Sequence, residues 1–217
     1  MHGAGLDQAA SMDRIYRYQR HIYDLTRKPY LLGRGRLLQG LDVPDDGAVL
    51  EMACGTGRNL IRAARAYPRA RLYGFDISDE MLSTAAAAIW RQDLNRRITL
   101  AHADAAGFDG EAVFAQPVFD RIMISYALSM IPQWREVLER ALSSLAPGGS
   151  LHVVDFGIQD GLPVWFRRAL NAWLARFSVT PRSDLLPVLE NLTRQSGARL
   201  HFEALHGGYA SYAVIRR

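Results

Sequence analysis

The chain has 217 residues, 49% of them hydrophobic and 22% charged, with a formal net charge of +4. That length suits a single domain, 1–217, with a full core, and no apolar run approaches the roughly 18 residues of a membrane span. Cys54 is the only cysteine, so an internal disulfide is excluded, and the histidines show neither i, i+4 pairing nor a cysteine cluster that would mark a metal site.

The first residues have neither the charge nor the apolar centre of a signal peptide, so a cytoplasmic setting is expected. The segment 13–27 then places Ile15, Tyr18 or Gln19, and Ile22 at helical spacing. Tyr16 and Tyr23 lie two turns apart on roughly one face, and Arg27, Lys28, Arg34 and Arg36 follow. Tyrosines interleaved with cations can enclose an amine while gripping carboxylates. A covering helix with solvated arginines explains the same pattern equally well. Residues 1–40 are therefore read as an N-terminal helical cap on a core over 41–217.

Val49 and Leu50 end a buried strand, Glu51 closes it, and Gly55 and Gly57 follow before a helix start at Arg58. Strand, glycine turn and helix N-terminus together make a nucleotide-binding corner. The dinucleotide fingerprint needs a third glycine where Leu60 stands, and no Gly-Lys-Ser/Thr phosphate loop is present. An acid before a G-x-G suits a nucleoside without pyrophosphate but with a charged amino-acid end. Cys54, inside the turn, reads as a small buried residue rather than a nucleophile.

About twenty residues on, where a ribose diol would be held, the run 71–77 ends in Asp76. Ser78 is a predicted N-cap with Asp79 and Glu80 in the first turn, and Met81 and Leu82 are placed to face an adenine. The segment 98–105 repeats the pattern, and Asp104 can accept from an adenine amino group. His102 and His152 fall inside strand patterns and read as structural. A fourth strand ends at Ser125 and Tyr126, and Ala146–Ser150 reads as a turn into a fifth strand through Phe156. Strands alternating with helical stretches predict a parallel sheet covered on both faces.

Pro163 opens a predicted lid helix near 163–177. Phe166, Leu170, Trp173, Leu174 and Phe177 form one apolar stripe, flanked by Arg167, Arg168 and Arg176. A basic amphipathic helix with tryptophan also suits a membrane surface. The positive net charge suits nucleic acid as well, but no basic repeat or stacked-aromatic module accompanies it, so no nucleic-acid partner is expected. The chain closes with Leu200–Leu205, Gly207-Gly208 and Tyr209–Ile215, a β-hairpin.

EMACGTG, YGFDIS, HADA and LAPGGSLHVVDF, with the terminal hairpin, resemble the class I S-adenosylmethionine-dependent methyltransferases from about Val49 to the C-terminus. The resemblance implies an α/β, Rossmann-like, doubly wound and mostly parallel seven-stranded sheet with S-adenosylmethionine as cofactor. It implies cofactor contacts for Glu51, Gly55, Gly57, Asp76 and Asp104. Ala53, Asn59, Ile77, Met81, Ala105 and Ser125, which flank these motifs, are assigned to the same site. The runs YRYQRHIYDLTRKPYLLGR and GGYASYAV further resemble the betaine-lipid N-methyltransferases, which trimethylate the homoserine amine of diacylglyceryl-homoserine. This closer resemblance implies a lipid-headgroup substrate, work at the inner face of the membrane and an aminocarboxypropyl transferase as functional partner. It gives Tyr16, Tyr23, Arg27 and Arg34 a substrate-side role. Tyr23 and Arg27 equally suit the methionine end of the cofactor, the sequence does not choose between these roles, and Arg34 is assigned with them to the cofactor site. Tyr16, Tyr126 and Tyr209 are expected at the methyl-transfer point, with Tyr212 completing an aromatic box. The rival readings are a methyltransferase of a quinone or other small molecule, and a non-catalytic binding module.

Overall fold

The computed structural model of the protein describes residues 31–217. Tyr16, Tyr23 and Arg27 lie outside the described residues. In chain order the elements are α1 (Arg34–Gly40), β1 (Ala48–Met52), α2 (Arg58–Ala66), β2 (Arg71–Asp76), α3 (Asp79–Trp90), β3 (Ile98–His102), α4 (Gly110–Phe114), β4 (Phe119–Ser125), α5 (Trp134–Ser143), β5 (Leu145–Phe156), α6 (Val164–Ala175), α7 (Leu185–Ser196), β6 (Arg199–Leu205) and β7 (Ala210–Arg216).

Among the described residues the strands form one sheet in the order β3-β2-β1-β4-β5-β7-β6. All neighbours run parallel except β7, which is antiparallel to both β5 and β6. This is a doubly wound, Rossmann-like sheet that ends in an antiparallel hairpin. The chain leaves β1 toward β2 and β3, then returns to place β4 on the other side of β1. That reversal opens a crevice at the carboxyl ends of β1 and β4.

The central strands are buried on both faces, so their sequences are nearly continuous apolar runs. Strand alternation sends Val49, Met123, Val154 and Tyr212 into one core cluster and Leu50, Ile122, Ile124 and Val153 into the other. The first cluster packs beneath α1, α2 and α6; the second packs beneath α5 and α7. His152 is fully buried between Ser150 Oγ (2.8 Å) and Tyr212 Oη (2.9 Å), and burial pushes its imidazole down to about 3, so it stays neutral.

The expected turn at Ala146–Ser150 is different in the structure. β5 already starts at Leu145, paired with Phe119, and the register jumps so that Ser150 pairs with Arg121. Residues 146–149 form an outward bulge within the strand rather than a turn before it.

Helix α6 is tied down at both ends. At its entry, Gly157 N donates to Tyr209 O (3.0 Å), Gln159 N to Gly208 O (2.9 Å) and Gly161 N to Gly207 O (3.2 Å). A Cβ at Gly157 would stand 2.2 Å from Gly208 O, so this backbone approach requires glycine. Beyond its exit, Thr180 N donates to Ser129 O (2.8 Å), and Arg182 donates to Leu128 O and Ile131 O, both at 2.9 Å. No described helix is long and apolar enough to cross a membrane.

Candidate functional site

The carboxyl ends of β1, β2 and β3 put three acids along one side of an open cleft. Glu51 is 2% exposed, and its Oε1 accepts from Asn59 Nδ2 at 2.7 Å. Glu51 Oε2 and Asn59 Oδ1 are buried and accept no hydrogen bond. Burial raises the Glu51 carboxyl from 4.5 to about 8, against the opposing pull of Asn59 and of the Arg34 guanidinium. Its Oε2 is thus left without a partner, and the raised carboxyl holds its proton until a cation or donor reaches it.

Asp76 accepts from Gly55 N (2.8 Å) through one oxygen and from Ser78 N (3.0 Å) through the other. Burial still raises its carboxyl, because desolvation outweighs those backbone bonds. Ser78 caps α3 by accepting from Met81 N at 3.3 Å, which fixes Met81 at the cleft wall. Asp104 is exposed, accepts from Ala106 N (3.1 Å) and lines the same wall with Ala105.

Across the cleft, Arg34 at the start of α1 donates from Nε to Ser125 Oγ at 3.2 Å. Its guanidinium lies 5.8 Å from the centroid of the Tyr126 ring. Burial pulls the Arg34 pKa down, and Glu51 pulls it back up. The Tyr126 ring lines the cleft, but its hydroxyl donates to Leu32 O. Burial drives that phenol above its usual range.

The cleft thus brings together Arg34, Glu51, Ala53, Gly55 and Asn59 with Asp76, Ile77, Met81, Asp104, Ala105, Ser125 and Tyr126. Four expected residues fall elsewhere: Gly57, Leu82, which packs against the core, Tyr209 and Tyr212. Gly57 does not line the cleft. It caps α2 at φ +71, and a Cβ there would press on Ala85 at 3.1 Å, so its work is to turn and pack the chain. Tyr209 is also absent from the lining. It is 7% exposed, and its ring packs edge-on against Phe156 at 6.0 Å between centroids. Tyr212 is likewise a core residue, held at His152.

Several lining residues carry no motif that singles them out, among them Thr56, Arg58, Phe75, Ala127, Met130 and Ile131. Thr56 and Phe75 sit inside the EMACGTG and YGFDIS runs, Arg58 opens α2, and the apolar run after Tyr126 is the available sign of Ala127, Met130 and Ile131. Cys54 lines the cleft too, yet it is buried, and desolvation raises its thiol well above the ordinary range. It is an inert wall, as its place in the turn suggests. Among the described residues no group of His, Cys, Asp and Glu could hold a metal ion.

A narrow apolar chamber, with room for about one water molecule, opens beside the cleft. Leu31, Phe156, Trp173, Leu174, Phe177 and Val179 line it, and it shares Tyr126 and Met130 with the cleft. Trp173 and Phe177 meet edge-on at 5.0 Å. The inner face of α6 therefore supplies most of its wall. That placement uses the apolar stripe as core-facing structure, the lid-helix reading of 163–177.

Residues 49–149 match the methyltransferase-domain family. A demethylmenaquinone methyltransferase of Listeria monocytogenes is 27% identical over 157 residues, covering 72% of this chain and 63% of that protein. A ubiquinone/menaquinone biosynthesis C-methyltransferase of Syntrophotalea carbinolica is 31% identical over 139 residues, covering 62% and 56%. The chain thus matches less than two thirds of the length of either relative. The Haemonchus contortus phosphoethanolamine N-methyltransferase 2, solved with S-adenosyl-L-methionine, shares the fold at a TM-score of 0.64 and 19% identity, covering 79% of this chain and 38% of that one.

Proposed function

We propose that this chain, whose residues 49–149 form an S-adenosylmethionine-dependent methyltransferase domain, methylates an apolar ring acceptor of the quinol class. The observation that carries this reading is the apolar lining of Leu31, Phe156, Trp173 and Val179, which adjoins the acid-lined cleft at Tyr126 and Met130 and must part to admit a ring. The quinone-pathway names of the two curated relatives support it.

The residues of the cleft fit the cofactor. The orphaned Glu51 Oε2 and Asn59 Oδ1 suit an ammonium group. Asp76 and Asp104 suit ribose hydroxyls and an adenine amine, with Ile77, Met81 and Ala105 against the base. Arg34 and Ser125 suit the carboxylate end. When bound, the cofactor supplies an electrophilic methyl group on a sulfonium. The chain contributes alignment and dryness: Tyr126, Met130 and Ala127 exclude water where cleft meets chamber. The Tyr126 hydroxyl is occupied by Leu32 O, so it acts here as a ring surface rather than a base. The described walls of the chamber carry no carboxylate or imidazole. The acceptor therefore brings its own electron-rich carbon, as an ionised quinol does.

The betaine-lipid expectation rests on the run from Tyr16 to Arg34, most of which lies outside the described residues, and on GGYASYAV, whose Tyr209 and Tyr212 are buried. The aminocarboxypropyl transferase partner stands or falls with it. One assay separates the two acceptors. A labelled methyl group is offered with a short-tailed demethylmenaquinol and, separately, with diacylglyceryl-homoserine. Label in the quinone is the expected result. Label only in the headgroup lipid, or in neither, would overturn the quinol reading.

A further inference from the structure

We propose that the outward face of α6 is a docking surface for an anionic phospholipid bilayer. Trp165 is 71% exposed, Val164 54% and Ile158 51%, although Phe166, Leu170, Trp173 and Phe177 of the same segment pack on the core. The helix is therefore apolar on its wet side as well as its dry side at this end. Trp165, Arg168, Ala172 and Arg176 follow at helical spacing along one exposed stripe. A tryptophan flanked by arginines is matched to the boundary between headgroups and acyl chains.

Charge selects the partner. Between Asp160 and Asp184 the chain has no acidic residue but carries Arg167, Arg168, Arg176 and Arg182. Arg182 is spent on the carbonyls of Leu128 and Ile131. The two bounding acids are also engaged, Asp160 by Gly161 N at 3.0 Å and Asp184 by Arg135. Among the described residues Arg168 and Arg176 are exposed and form no ion pair, which suits a surface of phosphate headgroups. Both ends of the helix are bonded to the body of the fold, so the stripe is presented in a fixed orientation. The use of this surface, to meet a lipid-borne acceptor, rests on the apolar-acceptor reading; the surface itself does not.

The test is co-sedimentation of the full chain with phosphatidylglycerol-containing vesicles and with pure phosphatidylcholine vesicles. Binding to the anionic vesicles alone, weakened by salt, is expected. W165A, and separately R168Q/R176Q, should weaken it about tenfold or more. W90A, at a tryptophan 72% exposed at the end of α3, should leave it unchanged. Thermal melts of W165A should match wild type, because the replaced ring is exposed. No vesicle binding, or equal binding by W165A and R168Q/R176Q, overturns the proposal. So does a dimer in sedimentation velocity that W165A dissociates while vesicles go unbound, which would make a second copy the occupant. Vesicle binding without quinol methylation would sink the acceptor reading and leave the docking surface standing.

Discussion

The two halves of the site recognise by different physics. The cleft side is polar and held by backbone: Asp76 grips Gly55 N and Ser78 N, and Glu51 is fixed by Asn59. The chamber side is a set of apolar walls from Leu31, Phe156 and α6. A ligand that fails to satisfy a buried polar group leaves a penalty of about 1–3 kcal/mol per group. A hydrophobic pocket discriminates by volume, at roughly 1–3 kcal/mol per methylene. One half therefore demands specific atoms, and the other accepts any occupant of suitable shape. Substitutions around Val179 and Phe177 could change the acceptor while the cofactor stays the same.

The contrast can be broken most severely at Asp76. Asp76→Ala removes two backbone anchors and the proposed ribose acceptor together, and cofactor affinity by calorimetry should fall about 100-fold or more. Retention within a few-fold would mean that the polar half does not select. Glu51 sharpens the same half through pH. Its folded carboxyl lies at about 8 against an ordinary 4.5. A raised acid holds its proton in the folded state, so its stabilising contribution is full below pH 4.5 and is lost as pH rises through 8. Glu51→Gln cannot ionise, and its melting temperature relative to wild type should climb by about 5 °C or more across that window. A flat difference would remove the titration.

On the apolar half, Val179→Phe fills the chamber. It should raise KM for a quinol acceptor about tenfold with cofactor affinity unchanged, at a cost of about 1–3 kcal/mol from overpacking. Equal loss of both affinities would show that the two halves are not separable. The smallest effect is expected where they meet. Tyr126→Phe loses one hydrogen bond to Leu32 O, worth about 1 kcal/mol, and kcat should fall only a few-fold. A drop of several hundredfold in kcat would restore the hydroxyl to the chemistry.

The same division governs what could be read before the fold was known. Glu51, Asp76 and Asp104 each stand at or just beyond a strand end in one contiguous stretch, so their spacing alone discloses a shared edge. The chamber draws on Leu31, Phe156, Trp173 and Val179, which only tertiary packing brings together. Tyr209 was assigned to the site because hairpin tyrosines lie near it in sequence pattern. The register Leu205↔Ala210 instead leaves Tyr209 in the turn and sends Tyr212 to His152. For α6 the periodicity gave a stripe but not its direction. The stripe turned inward, while the exposed Trp165 and Val164 lie outside it.

The double fastening of α6 bears on how molecules come and go. Its entry is laced to the β6–β7 turn and its exit to the loop 128–131, which itself lines the cleft. A hinged flap would need one free end, and this helix has none. Traffic through the chamber must then pass along the helix rather than beneath a lifting one. For the proposed acceptor, a ring branched near the reacting carbon should therefore be a poorer substrate than a slender one, which competition between paired quinols would show.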